Sequence, residues 1–297
     1  MKLLLKFYYF VFFLGIFSGL AQEKQEDHLM ISESKYDFDS TVSRLEAQLN
    51  QQDGISIFAK IEHHENAKRA GLKLSEKTVF IFGNPKQGSL LMQMDQVAGL
   101  DLPLKMLVHK EDDKTIITYS STNYLKKRYE LKKAKNLKNI ERALNEIASK
   151  VSGNKVKKSG KFSLDKHQGI KSEISEFDFE TTYKRLFSAL EDNPNLRIFS
   201  EIDHFKNGGN VDIGLRPTRL IVFGNPEIGT PIMLESAKIA LELPVKILVW
   251  RDEAGVVKIS YNDPAFLAQR FKLTTNIPQL EKMNTALETL SKNAAKY

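Results

Sequence analysis

The stretch Phe80-Ile81-Phe82-Gly83-Asn84-Pro85 returns as Ile221-Val222-Phe223-Gly224-Asn225-Pro226. Each version is an apolar run closed by Gly-Asn-Pro. A strand with no polar alternation is buried on both faces, and Gly followed by Pro ends it in a turn. The echo spreads outward at one offset, 141 positions, as from Phe82 to Phe223. Tyr36-Asp37-Phe38-Asp39 returns as Phe177-Asp178-Phe179-Glu180, and Ile57-Phe58 as Ile198-Phe199. Ile61-Glu62-His63 returns as Ile202-Asp203-His204, and Leu102-Pro103 as Leu243-Pro244. A solenoid repeat runs roughly 20–50 residues, whereas single domains most often hold about 100–150. The 297 residues are therefore one domain written twice.

Reading the copies against each other sharpens each local assignment. Ser40 or Asp39 is expected to cap a helix with apolar positions Val42, Leu45 and Leu49; in copy two Thr181 leads into Tyr183, Leu186 and Leu190. These spacings mark one buried stripe. Next, Ile57, Ala59, Ile61 and His63 alternate with Phe58, Lys60 and Glu62, a period of two that predicts a strand. A helical turn over 65–71 leads to the central strand. After it come a short helix ending near Gly99 and a hairpin, Leu104–His109 with Thr115–Tyr119, matched by Val245–Trp250 with Val256–Tyr261. A last helix carries Ile140, Ala143, Leu144 and Ile147. The fold class is α+β: two homologous domains, each a mostly antiparallel sheet with helices packed on one face. The first repeat is assigned to 32–150 and the second to 170–296. Residues 22–31 read as disordered, and 151–169, rich in Lys, Ser and Gly, as a basic flexible linker.

Lys2 and Lys6 precede an apolar run from Phe7 to Phe17, and Ser18-Gly19-Leu20-Ala21 ends it with small residues. Residues 1–21 read as a secretory signal peptide cut before Gln22. The protein is then exported, to the periplasm or the extracellular space. The run is shorter than the roughly 20 residues of a spanning helix, so no transmembrane helix is expected after cleavage. The absence of cysteine excludes disulfides, thiolate metal sites and a thiol nucleophile. The net charge of +7 is concentrated at Lys126–Lys138 and Lys155–Lys166. These runs read as a solvated helix face and a linker rather than a nucleic-acid surface.

Phe82-Gly83-Asn84-Pro85-Lys86-Gln87-Gly88-Ser89 with Leu100-Asp101-Leu102-Pro103-Leu104-Lys105 resembles the domain of unknown function 302 family. Copy two is the more typical, with Phe223–Pro231, Leu243–Trp250 and Ser260-Tyr261-Asn262-Asp263-Pro264. The resemblance implies a small, self-associating α+β domain and no established activity. Copy one departs from it at Ser120-Ser121-Thr122 and at His109, where copy two has Asn262-Asp263-Pro264 and Trp250.

Candidate ligand-binding residues follow from their repeated positions. His63 and His204 each end a strand after a carboxylate, where an imidazole can bind or act as a base. Adjacent strand residues point to opposite faces, so His63-His64 is no metal pair, and neither metal nor cofactor is expected. Asn84 and Asn225 sit in the Gly-Asn-Pro turns. Lys105 and Lys246 share a strand face with His109 and Trp250, which suits an anionic or aromatic ligand that Tyr261 could close over. The leading reading is a non-enzymatic small-ligand-binding or interaction module, packed as an intramolecular pseudo-dimer, with a cleft near His204, Asn225 and Lys246. The alternatives are a hydrolase or lyase with His204 as general base and a structural envelope protein.

Overall fold

A computed structural model describes residues 26–273 and 277–296; the leader at 1–21 lies outside them. Copy one begins with β1 (Glu26–Glu33), α1 (Phe38–Asn50), β2 (Ser56–Glu62) and α2 (His63–Arg69). It continues through β3 (Lys77–Gly83), α3 (Pro85–Met94), a 3₁₀ segment (Gln96–Leu100), β4 (Leu104–Glu111) and β5 (Lys114–Ser120). It closes with α4 (Thr122–Arg128) and α5 (Leu137–Ser152), and β6 (Lys157–Phe162) follows. Copy two repeats the order: β7 (Ile170–Ile174), α6 (Phe179–Glu191), β8 (Arg197–Asp203), α7 (His204–Gly209) and β9 (Thr218–Gly224). Then come α8 (Pro226–Glu235), a second 3₁₀ segment (Ala237–Leu241), β10 (Val245–Arg251), β11 (Val257–Asn262), α9 (Pro264–Phe271) and α10 (Pro278–Ala295).

The sheets run β2-β3-β4-β5-β1-β6 and β7-β11-β10-β9-β8, with every pairing antiparallel. On one face of the first sheet, Phe80, Phe82, Met106, Val108, Ile117 and Tyr119 pack under α1 and α5. The stripe Phe38, Val42, Leu45 and Leu49 supplies the α1 side. That helix is capped by Asp37, which accepts from Ser40 N–H at 2.7 Å, and its twin by Asp178, which accepts from Thr181 N–H at 2.9 Å. The cap thus falls two residues before the expected Asp39, on the carboxylate that can reach the third amide on.

The other sheet face carries Val79, Ile81 and Leu107 and belongs to the opposite repeat. The 3₁₀ segment of copy two lies on β3, β4 and β5, and that of copy one lies on β9, β10 and β11. One hydrophobic cluster accordingly joins Val79, Ile81 and Leu107 to Ile239, Ala240, Leu241 and Leu248. Two such copies must pack together, because each owns helices for only one of its two apolar faces.

Three expectations are revised. Glu26–Glu33, read largely as disordered, is β1, held between β5 and β6. The linker read as flexible supplies β6, which pairs Ser159 with Leu29 and Lys157 with Ile31, so its polar composition describes an edge strand rather than a mobile segment. The strict alternation in β2 fails at Phe58, where the register slips between Ile57 and Ala59. Ile57 therefore joins the helix-side core while Ile61 joins the inter-repeat core. Copy two repeats the bulge between Ile198 and Ser200, and such bulges re-aim side chains.

Candidate functional site

The Gly-Asn-Pro signature is the junction of β3 with α3. Asn84 is the helix N-cap, accepting from Gln87 N–H at 3.2 Å, and Pro85 occupies the first turn. Asn225 does the same for α8, accepting from Glu227 N–H at 2.8 Å. Gly83 lets Pro103 approach closely, since a Cβ there would lie 3.3 Å from Pro103 Cβ, a tight contact. Gly88, further along the same signature, lies inside α3.

Beside this junction opens a cavity of about 290 Å³. Phe58, Phe82, Leu91, Leu102, Leu104 and Leu144 are among its apolar walls, and Asn84, Gln87 and Asn139 place carboxamides around it. Phe58 is the bulge residue of β2. Copy two closes the cavity with His204 and Asn207. The pseudo-symmetric cavity, about 70 Å³, has Phe199, Phe223 and Asn225 in its wall and is closed by His63 and Asn66 of copy one. Thr230 and Met283 line it where Ser89 and Ile140 line the larger one. Each cavity is therefore made by both repeats, and the roomier one belongs to the less typical copy.

His63 and His204 line separate cavities. His63 Nε2 lies 3.1 Å from the Ala240 carbonyl and His204 Nε2 lies 3.1 Å from the Gly99 carbonyl. Against a carbonyl each ring must donate, which fixes the Nε2–H tautomer. Burial, opposed by these hydrogen bonds, lowers both pKa values to about 4. They are neutral pins between the repeats.

The expected cleft of His204, Asn225 and Lys246 does not form. His204 faces the Asn84 cavity, Asn225 faces His63, and Lys246 is buried with Lys105 on the pseudo-twofold axis. Lys246 Nζ donates to Glu242 at 2.7 Å, and Lys105 also bonds Glu242. Asp101 Oδ1 lies 4.0 Å from Lys105 Nζ and 3.8 Å from Lys246 Nζ. Arg128 pairs with Asp101 at 2.7 Å and crosses to Asn262 at 2.8 Å; Arg270 pairs with Glu242 at 2.7 Å and crosses to Ser120 at 2.7 Å. The guanidinium of Arg270 stacks 3.8 Å over the Tyr124 ring, and that of Arg128 stacks 4.4 Å over Phe266. Arg128 also donates to Gln168 O at 3.1 and 3.0 Å, tying the connecting segment to the axis.

Trp250 and Tyr261 are parted by the sheet. Trp250 is on the inter-repeat face, donating to Ser260 Oγ at 2.9 Å, as His109 meets Thr118 Oγ1 at 3.0 Å in copy one. Tyr261 pairs with Ile247 and so faces the helices, away from Lys246. The Asn-Asp-Pro difference is likewise conservative in role. Asp263 caps α9 and Ser121 caps α4, while Asn262 and Ser120 each receive the other repeat's arginine.

Burial would raise the Asp101 and Glu242 carboxyls, but Arg128 holds Asp101 below the usual carboxylate range, and Lys105, Lys246 and Arg270 do the same for Glu242. With both acids ionised the four cations are in excess. Burial, against the pull of Glu242, lowers Lys105 to about 7, whereas Glu242 and Asp101 outweigh burial at Lys246 and raise it. Arg128 and the two acids were missed in the sequence, although a signal existed. Of the basic run at 126–138, Arg128 is the member whose counterpart, Arg270, is also basic, and Asp101 is echoed by Glu242.

Fold and cavities together define a tandem α+β repeat protein built as an intramolecular pseudo-dimer. The family profile described as "Domain of unknown function DUF302" matches residues 30–147 and again 170–292, and the chain belongs to that family. Among curated relatives, "Fluoride-specific ion channel FluC 1" of Brucella suis is 40% identical over 101 residues, covering 34% of this chain and 40% of that protein. Its Brucella abortus namesake is 40% identical over 101 residues, covering 34% and 37%. This chain thus spans about two fifths of the length of these relatives. A crystal structure of an uncharacterized conserved DUF302 protein from Bacillus stearothermophilus is 15% identical with a TM-score of 0.37, covering 43% of this chain and 98% of that one. No helix among the described residues is long and apolar enough to cross a membrane.

Two outcomes follow. Glu242→Gln leaves four buried basic groups facing one carboxylate and should cost about 3–5 kcal/mol in urea unfolding, whereas Lys105→Met, which removes surplus charge, should cost less than about 1.5 kcal/mol. Second, a histidine near 6.5 when unfolded and near 4 when folded stabilises fully above pH 6.5 and loses that contribution as pH falls from about 6.5 to about 4. The loss is roughly 3 kcal/mol for each of His63 and His204. Burial also holds His28 and His109 low, at about 3. Unfolding midpoints should therefore fall steeply over this window, and His63→Gln with His204→Gln should remove about half of that slope.

Proposed function

We propose that the protein is an exported, non-enzymatic module that binds a small, neutral, largely apolar molecule in the cavity of copy one. The observation that carries this reading is the 290 Å³ space walled by Phe58, Phe82, Leu91, Leu102, Leu104 and Leu144. Its size approaches the lower end of small-molecule sites, about 300–1,000 Å³, and its make-up follows theirs: apolar walls with a few placed polar groups. Neither lysine nor arginine lines it, so the chemistry favours an uncharged guest over an anionic one. The carboxamides of Asn84, Gln87 and Asn139 offer donors and acceptors to a hydroxyl, carbonyl or amide on that guest. Because His204 and Asn207 close the cavity, binding also bridges the two repeats and should stabilise the pair. Export rests on the Lys2, Lys6 and Phe7–Phe17 pattern.

Catalysis by His204 is the weaker reading. Its Nε2–H is committed to Gly99 and its depressed pKa makes it a poor base at neutral pH. The structural-envelope reading leaves the asymmetry of the two cavities without a use.

Gly88 provides the test. It lines the cavity from within α3, and a Cβ there meets nothing within 4 Å. A helical glycine costs roughly 0.5–1 kcal/mol relative to alanine, so Gly88→Leu should fill the space and leave the melting temperature unchanged or raised. Indole, cyclohexanol and n-octanol should raise the wild-type melting temperature and show saturable heat in calorimetry, and Gly88→Leu should abolish both effects. Failure of all three probes on wild type, or their undiminished binding to Gly88→Leu, would overturn the proposal.

A further inference from the structure

Strands β1 and β7 are equivalent, yet their outer edges are treated differently. The β1 edge is covered by β6, with Leu29 opposite Ser159 and Ile31 opposite Lys157. The corresponding β7 edge ends the second sheet, and no strand among the described residues pairs with it. Ser175 N–H donates to Val257 O, and Gly169 O accepts from Asp263 N–H. The odd-numbered residues of β7 therefore aim their backbone groups at β11, and Ser172 and Ile174 aim theirs outward. Ser172 is exposed, and the Ile174 side chain is 60% exposed, among the most exposed large apolar groups described. A bare edge beside exposed apolar surface invites another strand.

The sequence of β7, Ile170-Lys171-Ser172-Glu173-Ile174, specifies which strand fits. Laid antiparallel on a copy of itself about Ser172, it places Ile170 against Ile174, Lys171 against Glu173, and Ser172 against Ser172. Every opposed pair is then complementary, and both charge pairs recur by the twofold. Lys171 and Glu173 project on the α10 side, where Lys171 Nζ already meets Asn284 Oδ1 at 2.9 Å and Asp263 Oδ2 at 3.5 Å. The three remaining residues project on the inter-repeat side. Ser172 at the centre supplies one reciprocal pair of backbone hydrogen bonds.

We infer that the β7 edge is an interaction surface for a second copy of this chain, joined antiparallel through β7 so that the two second-repeat sheets become one. The occupant is chosen by self-complementarity: an unrelated strand would need the same apolar-basic-polar-acidic-apolar order, which the chain already provides. Five residues a side fall short of the roughly 1,200 Å² of a standard stable interface, so the dimer is weak and depends on concentration.

Sedimentation equilibrium on the purified protein at roughly 1–300 μM tests this, with circular dichroism to verify that each variant is folded. Wild type should show a monomer–dimer equilibrium. Lys171→Glu and Glu173→Lys each set like charges opposite at both pairs and should weaken dimerisation about tenfold or more. Equimolar mixing of the two variants restores opposite charges at both pairs and should recover a heterodimer, and the double variant Lys171→Glu/Glu173→Lys should recover a homodimer. A wild type that stays monomeric throughout the range overturns the inference. So does dimerisation unaffected by either single change, or a mixture that associates no better than its components. Because β7 lies outside the copy-one cavity, Gly88→Leu should leave this equilibrium unchanged, so the two proposals fail separately.

Discussion

Each repeat makes a sheet with two apolar faces and helices enough for one, and the rest of the molecule follows from covering the second. Val79, Ile81 and Leu107 cannot remain in water, and neither can Leu220, Val222 and Leu248. Each face is met by the 3₁₀ segment of the opposite copy, so the cover is reciprocal. Reciprocity explains why both signature histidines are retained. His63 and His204 start equivalent helices and each pins the other copy's 3₁₀ segment through one carbonyl. It also explains why the cavities are composite, each with its wall from one copy and its closing residues from the other.

Bringing the two faces together buries charge at the axis. Lys105 and Lys246 share Glu242, while Arg128 and Arg270 each pair with an acid of their own copy and reach a polar side chain of the other. Such buried ions contribute little net stability beside well-packed apolar groups, but breaking one pair is costly. Their effect here is orientation: an arginine that must reach Asn262 or Ser120 admits only one placement of the second copy. Asymmetry enters where packing is least constrained. Arg128 gains the Gln168 carbonyl, whereas Arg270 Nε is left without a hydrogen-bond partner among the described residues. Thr230 and Met283 tighten one cavity, while Ser89 and Ile140 leave the other open.

Much of this was readable before any coordinates. Repetition exposed the two domains, and the unalternating Phe80–Phe82 strand announced cover on both faces. The parity that set Lys105 beside Leu107 and His109 was sound, because β4 runs without a bulge. The parity of β2 was not, since the extra residue at Phe58 leaves no mark in residue types and turns that ring into the cavity wall. Polar composition misled at β1, which lies inside the sheet between β5 and β6, and at β6, where edge position rather than disorder accounts for the exposed lysines. Lys105 and Lys246 read as ligand-binding groups because a single copy cannot show that a pseudo-twofold axis buries its face. Arg128 was hidden in a basic run and separable only by asking which member copy two keeps.

The central claim is that the two repeats form one folding unit because each completes the core of the other. Differential scanning calorimetry of the whole chain addresses it directly. A single transition is expected, with calorimetric and van't Hoff enthalpies equal, as for a cooperative domain. Two separable transitions, or a calorimetric enthalpy about twice the van't Hoff value, would show that the repeats unfold independently and would contradict the account.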